Sequence, residues 1–109
     1  MDVKRKHERY KYELGVDVVF EDGETHPARL LNFSLGGAFI QIEPRPDYGS
    51  KITLLADLPG VPETCKIPCF VRWFKEDEGG MGVQFEYTRP IEVWALSKLI
   101  RKLKGESES

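Results

Sequence analysis

Long apolar runs, an apolar signal core and a framework of paired cysteines are all missing from this 109-residue sequence. No apolar run approaches the roughly 20 residues of a membrane-spanning helix, and the basic start of the chain leads into no signal-like segment. The two cysteines, Cys65 and Cys69, are too few for a disulfide scaffold. We therefore expect one soluble, cytoplasmic domain with reduced thiols and no membrane insertion.

Signatures of catalysis and of metal binding are equally scarce. Cys65 and Cys69 form one loose pair, and His7 and His26 lie far from it in the sequence, whereas a structural zinc site needs four convergent ligands. Ser34 lies in no strand-to-helix elbow, and neither a phosphate loop nor a dinucleotide-binding glycine motif precedes a helix. The sequence therefore predicts no catalytic residue, no metal site and no cofactor, and an enzyme is the least favoured class.

Basic charge is concentrated at the two ends of the chain. The formal net charge is -2, yet residues 1–12 and 97–104 are strongly basic, so the rest of the chain is acidic. Such a body repels the phosphates of DNA or RNA over most of its surface. Its aromatic residues are not interleaved with basic ones, as a single-strand binder would need. The pattern favours a small anion that is held locally.

Between residues 15 and 85 short β-type runs alternate with turn residues. Val16, Val18 and Phe20 recur with the period of a strand, and the segment at 21–24 has the composition of a hairpin turn. Pro68 argues for an edge or a bulge near the start of its strand. Six strands are predicted, at residues 16–20, 25–33, 38–42, 51–57, 64–74 and 81–86. This spacing, without intervening helices, favours a small barrel or sandwich.

After residue 88 the apolar period changes from two residues to about 3.6, which predicts one helix of roughly four turns. Pro90 suits its first turn, and Gly105 suits its C-terminal stop. The basic residues of the last turns oppose the helix dipole favourably, which is a purely structural reason for their presence. The apolar face is predicted to consist of Ile91, Trp94, Ala95, Leu99, Ile100 and Leu103.

Two short motifs remain that could bind a ligand. Arg5 and Arg9 form Arg-x-x-x-Arg in the basic N-terminal stretch, and Asn32, Ser34 and the following glycines form Asn-x-Ser-x-Gly-Gly at a strand-to-strand corner. Taken alone, the first motif is common in basic tails and the second is ordinary turn chemistry. Together, in this order and spacing, they resemble the motif of the PilZ domain family, which is Arg-x-x-x-Arg followed by Asp/Asn-x-Ser-x-x-Gly, with the last glycine at Gly37.

The resemblance covers residues 4–103. Members of this bacterial family typically continue into a strand like GAFI at residues 37–40, a Val-x-Trp element like residues 71–73, and a Gly-Met-Gly-Val-x-Phe strand like residues 80–85. The family fold is a six-stranded antiparallel β-barrel with a C-terminal α-helix, which agrees with the strand pattern above. The resemblance thus implies a flexible arm at residues 1–12 that carries the arginine motif, a barrel and helix at 13–104, and a disordered tail at 105–109.

The family's ligand is cyclic di-GMP, a second messenger with two phosphates and two guanines. The resemblance implies that Arg5 and Arg9 bond phosphate oxygens or guanine edges, as planar guanidinium groups do in pairs. Asn32 and Ser34 would offer polar groups to a guanine edge. Gly37 would leave space where a Cβ obstructs the ligand or strains the corner.

Three further residues belong to the site that the resemblance implies. Lys4 precedes the first arginine, at a position that in the family influences whether one or two stacked ligand molecules bind, and lysine is compatible with either. Gly36 lies in the glycine corner. Trp73 either packs near a base or is a buried core residue.

A disordered arm that becomes ordered on the ligand would act as a switch. Fixing about six residues costs ~6–12 kcal/mol in backbone entropy, so several charge-assisted hydrogen bonds must form together. We expect an effector protein to bind the new surface, in motility, pili, polysaccharide synthesis or transcription. The alternative is a PilZ-like protein-interaction module that works without nucleotide, with its basic helix docked on an acidic partner.

Overall fold

The computed structural model describes residues 9–86 and 89–108. They form a closed barrel of six antiparallel strands and a C-terminal helix, which confirms the predicted fold class. The elements are β1 (Tyr10–Val19), β2 (Thr25–Phe33), β3 (Gly37–Gln41), β4 (Lys51–Ala56), β5 (Cys65–Lys75), β6 (Gly80–Phe85) and α1 (Pro90–Glu108), with a short 3-10 turn at Glu76–Glu78 between β5 and β6. The strand order around the barrel is β1-β2-β3-β6-β5-β4.

Alternation of buried and exposed side chains gives the barrel its core. Val16 and Val18 of β1 point inward, as do Ile52 and Leu54 of β4. The predicted hairpin turn joins β1 to β2, and Gly23 there adopts a φ of 90°, a conformation that glycine tolerates without strain. The strand pattern read from the sequence therefore sets which face of each strand is packed inside.

The two cysteines are packed inside the barrel as free thiols. Burial raises the pKa of the Cys69 thiol to about 12, and burial also raises the pKa of Cys65. Within residues 9–86 and 89–108, no group of His, Cys, Asp and Glu side chains converges in a way that could hold a metal ion.

Pro68 is tolerated because of its place in β5. It lies opposite Thr53 of β4, beyond the end of the β5–β6 ladder, whose last pair is Cys69 and Phe85. On the β6 side its carbonyl accepts a hydrogen bond from the backbone N–H of Glu86 at 2.7 Å. The proline therefore occupies an edge of the ladder, and the bulge of this strand lies elsewhere, at Arg72.

The helix packs on the barrel with most of the predicted apolar face. Ala95 and Leu99 are buried, and Ile100 and Leu103 pack against the core. Trp94 is 47% exposed and Ile91 is 40% exposed, so these two members of the predicted face lie outside the contact with the barrel. The packed face also includes Glu92, whose buried carboxylate accepts hydrogen bonds from Arg89 Nε at 3.2 Å.

Both ends of the barrel-and-helix unit differ from the predicted bounds. β1 begins at Tyr10, so residues 10–12 belong to the barrel and not to a separate arm, because they continue the β1–β2 ladder as far as the pair of Tyr10 with Phe33. α1 continues through Gly105 to Glu108, since a glycine near a helix end costs only about 1 kcal/mol relative to alanine. None of the described helices is long and apolar enough to cross a membrane.

Candidate functional site

A cavity of about 710 Å³ lies on the outer side of the barrel, across strands β1, β2, β3, β6 and β5. Six of the residues singled out from the sequence line it: Arg9, Asn32, Ser34, Gly36, Gly37 and Trp73. Lys4 and Arg5 lie outside the described residues. The fold therefore brings the end of the first motif and the whole of the second to one place.

Irregular strand pairing borders this cavity on three sides. The register shifts between Lys11 and Leu14 in β1, between Leu30 and Asn32 in β2, and between Val71 and Trp73 in β5. A bulge bends its strand and changes the direction in which side chains point. The three shifts interrupt the regular barrel wall where the cavity lies.

Arg9 connects the two motifs. Its Nη1 donates a hydrogen bond to Asn32 Oδ1 at 2.8 Å, across 23 residues of sequence. The guanidinium carbon also lies 6.0 Å from the centre of the Trp73 ring, within the range of a cation–π contact. The guanidinium of Arg9 can only donate, so it contacts the amide oxygen of Asn32. The amide NH₂ of Asn32 can then donate to an acceptor on a ligand.

Ser34 fixes the corner between β2 and β3. Its Oγ accepts a hydrogen bond from the backbone N–H of Gly36 at 3.1 Å, and its own N–H donates to the carbonyl of Gly37 at 2.8 Å. The side chain is buried. These two hydrogen bonds form the turn that the motif predicts, and they stabilise this part of the cavity wall. The hydroxyl of Ser34 can still donate its proton.

Gly37 is needed by the barrel itself. A Cβ at this position would lie 2.1 Å from the carbonyl oxygen of Val83 in the neighbouring strand β6. Two backbones approach closely here, and only glycine permits the approach. The requirement comes from strand pairing behind the cavity.

Trp73 is part of the cavity wall and not of the core. Its side chain is 41% exposed and stacks on Phe39, with ring centres 5.4 Å apart and an interplanar angle of 20°. Gly82 lies beneath the indole and Gly80 beneath the Phe39 ring, where a Cβ would come within 2.0 Å and 2.5 Å of the respective ring atoms. The two glycines make room for an aromatic surface. Their alternation in the Gly-Met-Gly segment is the sequence signal for it.

Sequence reasoning missed a second polar pair in the cavity. Arg72 and Trp73 both face outward because the register shift inserts a residue into β5 relative to β6. Arg72 Nε donates a hydrogen bond to Gln84 Oε1 at 2.8 Å. No motif marks these residues, since their meeting depends on the β5–β6 register and on the bulge.

Positive charge dominates the cavity even though the chain as a whole is acidic. Arg9, Lys11, Arg72 and Lys75 line it, with Glu78 as the acidic residue among them. The Lys75 ammonium contacts Glu78 at 2.7 Å, and this hydrogen bond raises the pKa of Lys75. Arginine forks beside an exposed aromatic surface are suited to a ligand that combines anionic groups with flat rings.

The fold and this cavity together define a small closed β-barrel with a basic, aromatic-walled cavity on its outer face. The chain belongs to the PilZ domain family, whose model matches residues 3–104. A search of curated protein sequences finds no significant match.

Solved structures with the same fold include two PilZ domains and MrkH. The PilZ domain of CeSA from a cellulose-synthesizing bacterium has a TM-score of 0.68 at 16% identity, over 89% of this chain and 98% of that one. The PilZ domain of YcgR from Escherichia coli, in a structure with c-di-GMP, has a TM-score of 0.70 at 16% identity, over 96% and 95%. MrkH from K. pneumonia, in a c-di-GMP complex, has a TM-score of 0.74 at 13% identity, over 98% of this chain and 55% of that one.

Proposed function

We propose that this chain is a receptor for cyclic di-GMP and not an enzyme. The observation that carries the proposal is the cavity, in which Arg9, Asn32 and Trp73 meet within one basic, aromatic-walled surface. Membership of the PilZ family and the c-di-GMP in the YcgR and MrkH structures support this ligand. Cyclic di-GMP combines the two features that the cavity would accommodate, namely paired phosphates and flat guanine rings.

The proposed contacts follow from the chemistry of each residue. Arg9 bonds a phosphate or a guanine edge through its guanidinium fork, and the NH₂ of Asn32 donates to an acceptor beside it. Trp73 supplies a stacking surface, for which base–aromatic contacts contribute about 1–3 kcal/mol each. Ser34, Gly36 and Gly37 form the corner against which the ligand packs.

Arg5 completes the motif, and Lys4 adds positive charge before it. Both precede Arg9, which lines the cavity, by only a few residues. We propose that ligand binding orders this stretch and that an effector protein binds the ordered surface. Ordering several residues costs backbone entropy, which the charge-assisted hydrogen bonds to the ligand offset. The ordered state therefore depends on the ligand.

An isothermal titration of the full chain with cyclic di-GMP tests the proposal. We expect saturable binding, and much weaker binding of GTP and cyclic GMP, which cannot present two phosphates and two guanines in one ring. Absence of heat at micromolar ligand, together with an unchanged melting temperature, would reject the receptor.

One observation favours a second candidate, an interaction module that works without nucleotide. Trp94 is exposed on α1, and Lys98 Nζ lies 4.8 Å from the centre of its ring. An exposed tryptophan beside basic residues is suited to an acidic protein surface. A chain that binds an acidic partner equally with and without cyclic di-GMP would support this candidate.

A further inference from the structure

We propose that Arg72 and Gln84 form a guanine-reading subsite on the far side of the cavity from Arg9. The proposal rests on cyclic di-GMP as the ligand. It adds that Arg72 contacts one edge of a guanine base. It assigns Arg72 as a specificity-determining residue and Gln84 as the residue that positions it.

The two arginine–amide pairs of the cavity lie on opposite sides of strand β3. Strand β3 lies between β2 and β6 in the barrel. Arg9 and Asn32 meet on the β1–β2 side of it, while Arg72 and Gln84 meet on the β5–β6 side. The cavity thus has an arginine–amide pair on each side of one strand, and the ligand has two guanines.

The hydrogen bond between Arg72 and Gln84 determines which groups face a ligand. A guanidinium group only donates, so the oxygen of the Gln84 amide must face Arg72 Nε, as it does at 2.8 Å. This contact fixes Arg72 through Nε. The Nη groups of Arg72 remain as donors, and the guanidinium offers a ligand donors only.

The donors of Arg72 match one edge of guanine. The N7 and O6 edge of guanine carries two acceptors, and arginine reads it with a bidentate fork. The corresponding edge of adenine carries one acceptor and one NH₂ donor, which would face donors of the protein. The guanidinium of Arg72, which only donates, therefore favours guanine over adenine at this edge.

The neighbouring residue supplies the face that this edge requires. Trp73 directly follows Arg72, and the register shift turns both side chains outward. A base that stacks on the exposed part of the indole would have its edge beside the adjacent guanidinium. The bulge is therefore the structural device that places a stacking surface and a donor fork next to each other.

The test compares cyclic di-GMP with an analogue in which 7-deazaguanine replaces guanine and the N7 acceptor is lost. We expect Arg72→Ala to weaken cyclic di-GMP binding by about tenfold to a hundredfold, the range for loss of one bidentate pair. The analogue should bind the wild type more weakly than cyclic di-GMP, and this penalty should be clearly smaller in Arg72→Ala.

Arg72→Lys tests the planar fork of the guanidinium. Lysine keeps the positive charge and can donate to guanine O6 or N7, but it lacks the fork, so we expect an affinity between those of the wild type and the alanine variant. Arg45→Ala is the matched control, because Arg45 pairs with Glu76 and lies over Phe74 away from this cavity. Its affinity should equal that of the wild type.

The outcomes distinguish the two proposals. An equal 7-deaza penalty in the wild type and in Arg72→Ala would mean that Arg72 does not contact the N7 edge, and it would overturn the guanine subsite while the receptor stands. Wild-type affinity in Arg72→Lys would overturn the bidentate contact of the guanidinium fork. A wild-type chain that does not bind cyclic di-GMP at all would overturn both.

Discussion

Replacing Gly82 with alanine should disable the aromatic wall of the cavity while the barrel stays folded. The new Cβ would lie 2.0 Å from Cε2 and 2.4 Å from Nε1 of Trp73. Carbon atoms in contact are ordinarily about 3.5–4.0 Å apart, so the indole must move by more than about 1 Å. Since Trp73 is 41% exposed, it can swing toward solvent, away from Phe39.

The expected magnitudes follow from the contacts that are lost. The stacked pair of Trp73 and Phe39 contributes about 0.5–1.5 kcal/mol, which sets the expected loss in the free energy of unfolding. Loss of a stacking surface for one base costs about 1–3 kcal/mol, or roughly five-fold to 150-fold in affinity for cyclic di-GMP. The affinity should therefore fall much more than the fold is destabilised.

Gly15→Ala is the matched control, because a Cβ there meets nothing within 4 Å. The assay is calorimetric affinity together with thermal unfolding. The chain has two tryptophans, so a Trp94→Phe background lets the emission of Trp73 report its displacement. If Gly82→Ala bound cyclic di-GMP as tightly as Gly15→Ala while a change in Trp73 emission showed that the indole had moved, the proposed role of the indole would be refuted.

Three further predictions concern the arm, its arginine and the core thiols. Arg9→Ala should cost about 1.5–3 kcal/mol of binding, or one to two decades in affinity, whereas Lys102→Ala on α1 should cost much less at fixed ionic strength; equal losses would indicate diffuse electrostatics. Deleting residues 1–9 should abolish binding but leave the melting temperature nearly unchanged, because β1 begins at Tyr10; an unfolded product would make that segment structural. Cys65 and Cys69 should resist a thiol reagent at pH 8 until the protein unfolds, since burial raises both pKa values and keeps the thiols protonated. Fast labelling of the folded chain would contradict their burial.

The six strands could be predicted because the information for them is local. Each strand carries its own alternation of apolar residues, and turn residues such as Gly23 punctuate them. The corner at Ser34 was equally predictable, since its hydrogen bonds to Gly36 and Gly37 span only two or three residues. Short-range chemistry of this kind can be read directly from the sequence.

The exposure of Trp94 and the second arginine pair could not be predicted in that way. Trp94 and Leu99 have the same apolar character, and only the docking of α1 on the barrel decides that Leu99 is buried while Trp94 is exposed. Arg72 meets Gln84 through a strand register that contains a bulge. A single inserted residue changes which side chains face outward, and no periodicity in the sequence records it.

A calorimetric titration of the full 109-residue chain with cyclic di-GMP, repeated with Arg9→Ala, decides whether the cavity is a cyclic di-GMP site. We expect saturable binding by the wild type and an affinity lower by about one to two decades in the variant, because Arg9 joins Asn32 and Trp73 in the cavity. No heat and no change in melting temperature in the wild type, or equal affinities for the two proteins, would contradict it.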